Sequence, residues 1–350
     1  MENKFTKTLL AWHAACGRHD LPWQVRDDWY ARILSEVMLQ QTQVKTVIPY
    51  FERFMAAYPT AADLAAADDE DVMALWAGLG YYSRARNLLK AIRTVMTDWN
   101  GECPPDAASL ATLPGIGPST AGAVSAFVNK ERSIMADGNA KRVIARVFAI
   151  PGHPGLKSFE DAVWKKAAEL LPESAEMPAY TQGLMDMGAL VCRRNPDCEV
   201  CPMKDFCLAR ERGLQTEIPG KKPRKERPVR HALAWFILDD EAVWVRKQDG
   251  RGVWHALWIP PMTEFDPVGG YSREVPAEFA PVVASTKAAP VITHDFSHYR
   301  LEIYPVVCRL APGAVPAGLT RLPLNALDSL ALPSPVRAFL SGFEPFDLKP

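Results

Sequence analysis

Four cysteines fall within one short stretch of the chain, at Cys192, Cys198, Cys201 and Cys207. Five, two and five residues separate them. Thiolates at such intervals bind either a tetrahedral zinc ion or an iron–sulfur cluster, and the spacing alone does not distinguish the two. Because unligated thiols crowded into one loop would be open to oxidation, the pattern predicts a metal site.

A single carboxylate interrupts the apolar side of the helix predicted from Trp29 onwards. Glu36 shares a stripe of that helix with Trp29 and Gln40. Burial disfavours the charged form of a carboxylate, so we expect a raised pKa for Glu36 and a proton retained near neutral pH. A general acid fits this pattern. A structural glutamate bonded to the backbone or to an arginine fits the helix pattern equally well.

A second carboxylate, Asp137, directly precedes an amphipathic helix predicted over 140–150. Aspartate is common at this position because its side chain accepts hydrogen bonds from the first free N–H groups of a helix. A capping aspartate can also be catalytic, so the sequence leaves both roles open.

The stretch 113–124 predicts a tight turn between two helices, over 107–112 and 118–128. Gly115 and Gly117 would leave backbone N–H groups uncovered beside the N-terminus of the second helix. The partial positive charge and free donors there suit a phosphate oxygen. An ordinary turn between helices would have the same residues.

Two glycines followed by two tyrosines, Gly78-Leu79-Gly80-Tyr81-Tyr82, predict a loop that pushes an aromatic ring outward. Arg84 and Arg86 follow on the next helix. Rings interleaved with arginines suit stacking on bases and contact with phosphates. From its place in the loop, we expect Tyr81 to be the exposed ring and Tyr82 to pack in the core.

The chain has 350 residues and a formal net charge of −1. It is therefore long enough for two domains, and any contact with nucleic acid must come from local patches and backbone donors. No stretch reaches the roughly 18 apolar residues that span a membrane, and charged residues interrupt the N-terminus before a signal peptide could form. We expect a cytoplasmic protein without a membrane partner.

The residue pattern changes along the chain. Residues 1–212 have apolar residues at three- and four-residue spacing, which predicts an all-α domain. Residues 213–230 are proline-rich and basic, typical of a solvated linker. Residues 231–345 predict an α+β domain. Its expected elements are strands at 232–238, 242–245 and 299–307, a polar loop at 293–298, and a helix near 334–341.

These stretches together resemble the MutY-type adenine DNA glycosylase family along nearly the whole chain. The matching motifs are Ser35–Gln43, Gly78–Tyr82, Leu113–Gly122, Asp137–Asn139 and the four cysteines. The resemblance implies an all-α helix-hairpin-helix glycosylase domain with an iron–sulfur loop at 192–207, followed by a Nudix-like domain. The family's first cysteine interval usually has six residues and here has five. We therefore expect a [4Fe–4S] cluster, with zinc as the alternative.

The resemblance implies base-excision repair by a monomer that removes adenine mispaired with 8-oxoguanine or guanine in double-stranded DNA. Glu36 would be the general acid, and an ionised Asp137 would stabilise the cationic sugar. Asn139 and Ser119 complete the catalytic candidates. The DNA-binding candidates are Gln41, Tyr81, Gly115 and Gly117, with Trp23 and Gln24 in an adenine pocket and Phe296, Ser297 and His298 facing the opposite base.

Three functions other than adenine removal fit the sequence less well. Superfamily members that cleave the strand carry a lysine where this chain has Ser119, which argues against a glycosylase for oxidised pyrimidines and implies base removal by water. Both carboxylates argue against a non-catalytic lesion-binding protein. Pyrophosphate hydrolysis needs a glutamate-rich metal-binding helix, and Arg273-Glu274-Val275, interrupted by Pro276, is only a fragment of one.

Overall fold

The computed structural model describes residues 1–26, 28–223, 226–249, 253–269 and 272–342. Contacts divide the chain into two units. The helical unit contains Met1–Ala67 and Arg86–Arg224, and the sheet unit contains Asp68–Ala85 and Lys225–Pro350. Each is described separately below.

The helical unit is all-α over its described residues, as the sequence predicts. Its helices are α1 (Glu2–Cys16), α2 (Pro22–Val25), α3 (Trp29–Leu39), α4 (Val44–Ala57), α5 (Ala61–Ala66), most of α7 (Ser83–Asp98), α8 (Ala107–Leu110), α9 (Pro118–Val128), α10 (Gly138–Val147), α11 (Lys157–Glu169), α12 (Met177–Asp186) and α13 (Leu208–Glu211). A π-helix, Met187–Val191, continues α12. Within the described part of the chain, no helix has the length and apolarity to cross a membrane.

Local signals fix where these helices begin. Asp28 accepts a hydrogen bond from Tyr30 N (2.8 Å) at the start of α3, and Asp106 accepts one from Ser109 N (2.7 Å) at the start of α8. Pro118 occupies the first turn of α9, where its missing N–H costs nothing. The helix α8 is shorter than the predicted 107–112, and the chain turns from Ala111 onwards.

The core of the helical unit forms where α1, α10, α11 and α12 meet. Phe5 and Leu9 from α1 pack with Ile144, Phe159 and Leu184 in one buried cluster. Such burial stabilises each large side chain by about 1.5–3 kcal/mol. This packing includes Ala140, Val143 and Ile144 of α10 and so fixes the helix that Asp137 caps.

The sheet unit is α+β, as predicted. It contains α6 (Asp69–Trp76), β1 (Val229–Leu238), β2 (Ala242–Lys247), β3 (Trp258–Ile259), β4 (Met262–Phe265), β5 (Val283–Ala288), β6 (Ile292–Asp295), β7 (Arg300–Leu310), β8 (Thr320–Pro323) and α14 (Ser334–Ser341). The strand order is β3-β2-β1-β7-β5, with β4 also pairing β1, β6 pairing β7 and β8 pairing β2. The central strands β1 and β7 are parallel, and the other pairs are antiparallel.

The segment predicted as a polar loop at 293–298 is largely a strand. Thr293, His294 and Asp295 pair with β7, with Asp295 opposite Arg300. Only the four residues from Phe296 to Tyr299 form the turn, closed by a hydrogen bond from Phe296 N to Tyr299 O (2.9 Å). The polar residues misled the prediction because this strand lies half exposed at the edge of the sheet.

The boundaries between the units also differ from the predicted ones. Residues 68–85 group with the sheet unit, where the Tyr82 hydroxyl donates to Leu332 O (3.1 Å) and Glu70 pairs with Lys247. The first part of the predicted linker 213–230 packs on the helical unit. Ile218 is buried there, and its carbonyl accepts from Arg146 Nε (2.7 Å). Residues 224–225 and 343–345 lie outside the described residues.

Candidate active site and metal-binding loop

One cavity of about 600 Å³ in the helical unit brings together the four catalytic candidates. Glu36, Ser119, Asp137 and Asn139 all line it. Gln41 and Trp23 line it as well. Because α3, α9 and α10 contribute these residues from separate parts of the sequence, the packing of the helices creates the site.

Glu36 lies partly buried on α3 and faces the cavity. Burial raises the pKa of Glu36 to about 7, as the helix pattern predicts; the negative charge of Asp137 raises it further, and the positive charge of Arg32 opposes the shift. Glu36 accepts no hydrogen bond from the residues that the structure describes. Its carboxyl group can therefore keep a proton near neutral pH.

Asp137 both caps a helix and lines the cavity. Its Oδ1 accepts a hydrogen bond from Ala140 N (2.7 Å) at the start of α10. Burial raises the pKa of Asp137, but the N–H groups of Ala140 and Asn139 and the charges of Arg142 and Lys141 oppose this shift. Burial thus raises the pKa of both carboxyl groups; N–H donors and two cations oppose the shift at Asp137, and the single cation Arg32 opposes it at Glu36.

Asn139 and Ser119 are held in place by neighbouring groups. Arg142 Nη2 donates to Asn139 Oδ1 (2.7 Å) and to Gly188 O (2.7 Å). Ser119 Oγ accepts from Ala136 N (3.1 Å), which ties the first turn of α9 to the segment that carries Asp137. These hydrogen bonds fix the orientation of both side chains in the cavity wall.

The hairpin between α8 and α9 has the geometry of an anion site. Gly115 has a φ of 78°, and an added Cβ would lie 2.7 Å from Asn87 Cβ, so only glycine fits. Gly117 caps α9 without a side chain. The first N–H groups of α9 have no acceptor within the helix and are open to a phosphate oxygen.

Two of the residues predicted to contact DNA have strained backbones. Gln41, which follows α3, has a φ of 58°, and Tyr81 has a φ of 49°. Both side chains are exposed, Tyr81 by 48%, whereas Tyr82 is buried as predicted. Non-glycine residues with positive φ persist where the surrounding structure enforces them, often at functional sites.

The two residues assigned to an adenine pocket have different surroundings. Trp23 is buried, lines the cavity and packs edge-to-face on Phe51 at 5.4 Å. Gln24 is not among the residues that line the cavity. Its Oε1 accepts from Leu21 N (3.0 Å) and its Nε2 donates to Arg18 O (2.9 Å), so its amide is used within the turn before α2.

Sequence reasoning missed two polar residues of the cavity, Arg18 and Gln182. Both donate to Oδ1 of the buried Asp186: Arg18 through Nε (2.8 Å) and Nη2 (2.6 Å), Gln182 through Nε2 (2.8 Å). The spacing of Gln182 and Asp186 by four residues on an apolar helix was the only local signal. Nothing local linked them to Arg18.

The four predicted metal ligands, Cys192, Cys198, Cys201 and Cys207, line one small cavity of the helical unit. The buried Arg146 borders it, with Nη1 3.4 Å from Cys192 Sγ, and its carbonyl accepts from Cys207 Sγ (3.6 Å). Across the described ranges, no group of three or more ligating side chains is close enough to hold a metal ion. All four cysteines nevertheless line the same cavity, and four cysteine thiolates are the usual ligands of an iron–sulfur cluster.

The turn predicted to face the opposite base joins β6 to β7 in the sheet unit. Ser297 and His298 are exposed at its tip, with Ser297 Oγ 3.3 Å from His298 Nδ1. Phe296 points back and packs on Trp254 (5.5 Å) and Tyr299 (4.8 Å). Residues 272–276 form no helix, so Glu274 does not lie on the metal-binding helix that pyrophosphate hydrolysis would need.

Comparison with known proteins identifies the class. Residues 34–169 match the HhH-GPD superfamily of base excision DNA repair proteins, residues 193–207 the iron–sulfur binding domain of endonuclease III, and residues 232–342 a NUDIX domain. The structure of a thermostable thymine-DNA glycosylase, 28% identical, aligns with a TM-score of 0.53 over 60% of this chain and 97% of its own. An endonuclease III–DNA complex, 22% identical, shares the fold with a TM-score of 0.51 over 61% and 99%. The fold and the cavity thus define a helix-hairpin-helix base excision repair protein.

Two relatives narrow this class. An adenine DNA glycosylase of Buchnera aphidicola subsp. Schizaphis graminum is 31% identical over 348 residues, which cover 97% of this chain and 99% of the relative. The adenine DNA glycosylase of Homo sapiens is 40% identical over 61% of this chain and 41% of its own length. The chain belongs to the adenine DNA glycosylase family, as the sequence motifs predict. Its cysteine loop is an iron–sulfur binding domain, and the zinc alternative has no support.

Proposed function

We propose that this protein, acting as a monomer, hydrolyses the N-glycosidic bond of adenine mispaired with 8-oxoguanine or guanine in double-stranded DNA. The observation that carries the proposal is the cavity with two unlike carboxyl groups, Glu36 with a pKa of about 7 and Asp137 stabilised by N–H donors and cations. Such a pair suits protonation of a leaving base and stabilisation of a cationic sugar.

The chemical steps follow from this pair. The adenosine leaves the duplex at a cost of a few kcal/mol, which is smaller at a mispair, and enters the cavity. Glu36 donates its proton to a ring nitrogen of adenine while the bond between the base and C1′ breaks, and the bonding electrons leave with the base. Asp137 stabilises the resulting oxocarbenium-like sugar. Water then adds to C1′, and its released proton restores the acid.

Ser119 and Lys141 support base removal without strand cleavage. Ser119 stands where strand-cleaving relatives carry a lysine, and its hydroxyl cannot form a Schiff base. Lys141, one turn beyond Asp137, is paired with Glu160 (2.5 Å). The proposed enzyme is therefore monofunctional.

Binding to DNA would use separate groups. The N–H groups at the start of α9 would bind a phosphate, while Tyr81 and Gln41 would enter the base stack. Ser297 and His298, exposed on the β6–β7 turn, would contact 8-oxoguanine.

A duplex assay tests the activity. Wild-type protein should release adenine from duplexes with adenine opposite 8-oxoguanine or guanine and leave an abasic site that alkali cleaves. Borohydride should trap no covalent complex. Release of an oxidised pyrimidine instead of adenine, or strand cleavage before alkali, would contradict the proposal.

A double substitution tests the opposite-base contact. Ser297→Ala with His298→Ala should lower the preference for 8-oxoguanine over guanine by on the order of ten-fold, since a direct base contact is worth about 1–3 kcal/mol. The salt dependence of duplex binding should not change, because no phosphate contact is lost. Phe296→Leu provides the control for packing beneath the turn. Equal losses on both duplexes would place lesion recognition elsewhere.

We also propose that the iron–sulfur cluster is of the [4Fe–4S] type. Cys192, Cys198, Cys201 and Cys207 would hold it, and its role would be to fix the loop beside Arg146 and Arg142. Protein purified without air should contain iron and labile sulfide in the ratio of a cubane cluster. Stoichiometric zinc in active protein would contradict this assignment.

A further inference from the structure

The loop that carries Tyr81 is folded around a buried guanidinium group. Arg84 is only 7% exposed, and its Nη2 donates to Leu79 O (3.1 Å) and Gly80 O (3.2 Å). The Gly80 carbonyl also accepts from Trp76 Nε1 (3.0 Å). Arg84 thus lies inside the fold, although its spacing from the tyrosines suggested contact with phosphate.

The same guanidinium contacts Tyr81 itself. Its central carbon lies 5.5 Å from the centroid of the Tyr81 ring and 5.4 Å from that of Trp76, within the range of cation–π attraction. Arg84 N also donates to Tyr81 O (2.8 Å). Arg84 therefore contacts the Tyr81 ring, the Tyr81 carbonyl, and the carbonyls of Leu79 and Gly80, the two residues before Tyr81.

These contacts stabilise an unusual backbone conformation at Tyr81. Tyr81 has a φ of 49°, which non-glycine residues seldom adopt, and it follows Gly80, whose φ of 74° suits glycine. Burial lowers the pKa of Arg84 to about 10, so the group stays charged at neutral pH. A planar cation with several fixed donors can hold adjacent carbonyls in such a turn, which a lysine with a single ammonium group cannot do.

We propose that Arg84 is a positioning residue that presets Tyr81 for insertion into the base stack. The inference rests on the proposed function, in which Tyr81 enters the duplex. Arg84 would act through the loop and would touch neither base nor phosphate. Its loss should therefore impair extrusion of the target base while leaving the bond-breaking step intact.

The measurement is binding to a duplex with 2-aminopurine at the adenine position, because this analogue fluoresces when it leaves the stack. Arg84→Met should reduce the extrusion signal at saturating protein by about five- to ten-fold. Arg84→Lys should not restore it. In a Tyr81→Ala background, Arg84→Met should change the signal by less than about two-fold, because the ring that it positions is absent.

Arg93→Met is the matched control. Arg93 lies on the same helix, α7, and donates to Ala65 O (3.0 Å) and Ala67 O (2.8 Å), so it too holds two loop carbonyls, but far from Tyr81 in sequence. Its loss should leave extrusion unchanged. Trp76→Phe, which removes the indole donor to Gly80 together with part of the buried ring beside Arg84, should lower extrusion by about three- to five-fold and decides the question if Arg84→Met does not fold.

Three outcomes would overturn the proposal. One is an equal effect of Arg84→Met with and without Tyr81. Another is full restoration by lysine, and the third is a fall of about one unit in the salt slope, which would show a direct phosphate contact. If wild-type protein extrudes the analogue but releases no adenine from any duplex, the proposed function fails while the role of Arg84 is still measured.

Discussion

Two buried carboxyl groups of the helical unit, Glu36 and Asp186, have opposite surroundings. Asp186 is fully buried and accepts from Arg18 N (2.8 Å), from the Arg18 guanidinium and from Gln182 Nε2. Glu36 faces the cavity and, among the described residues, accepts no hydrogen bond. The two groups therefore differ in their hydrogen-bond donors as well as in depth, since Asp186 is fully buried and Glu36 only partly.

This difference separates a structural carboxylate from the proposed catalytic acid. Donors around Asp186 stabilise its charge and join α12 to the segment after α1. Burial destabilises the charged form of Glu36, and no hydrogen-bond donor in the described part of the chain offsets this, so the proton is released only near neutral pH. A buried carboxyl group beside a cavity indicates catalysis when its hydrogen-bonding capacity is left unused.

The largest expected effect comes from Glu36→Gln. The amide keeps the shape of the side chain but has no proton to donate, so single-turnover excision should fall by about a hundred- to ten-thousand-fold. Affinity for the mispaired duplex should remain near that of the wild type. Excision at the wild-type rate would exclude Glu36 as the acid.

Asp186→Asn should lower the free energy of unfolding rather than the rate of excision. Removing the charge leaves the Arg18 guanidinium without its buried partner, and breaking such a pair costs about 3–5 kcal/mol of unfolding free energy. Denaturant unfolding measures this loss. Excision by the folded fraction should retain the pH dependence of the wild type. An unchanged unfolding free energy together with abolished excision would assign Asp186 to the chemistry and remove the contrast with Glu36.

The pH dependence sharpens the contrast further. Since the pKa of Glu36 is about 7 in the folded protein against 4.5 for an unperturbed glutamate, excision should decline about ten-fold per pH unit above 7. The proton also stabilises the fold. This contribution is complete below pH 4.5 and is lost as pH rises through about 7, in total on the order of 3 kcal/mol. The unfolding free energy of Glu36→Gln, measured over the same pH range, should not show this loss.

The smallest effect is expected for Arg32→Met. The charge of Arg32 lowers the pKa of Glu36, and its guanidinium carbon lies over the Phe127 ring, 4.4 Å from the centroid. Methionine keeps much of this packing and removes the charge. The pH profile of excision should then move to higher pH by at most about one unit. A shift to lower pH would contradict the assigned electrostatics.

The local parts of the site could be predicted from sequence. The glycine and proline before α9 set its start, the cap at Asp137 set the start of α10, and position in the glycine loop separated exposed Tyr81 from buried Tyr82. Each of these depends on a few neighbouring residues. The sequence did not show that the Gln24 amide bonds with the backbone of its own turn, and β6 was missed because its polar residues lie at a sheet edge.

The sequence by itself determined the identities and local settings of the chemical groups: a carboxyl on an apolar helix, a capping aspartate, a glycine hairpin and four crowded thiols. Tertiary structure decided which groups meet. It placed Glu36 and Asp137 in one cavity, and it brought Arg18 to Asp186 across a separation of 168 residues. It also turned Arg84 inward to hold Tyr81. Contacts between distant segments depend on how helices pack. The apolar periodicity of a helix marks which face is buried but does not say which distant residue lies against it.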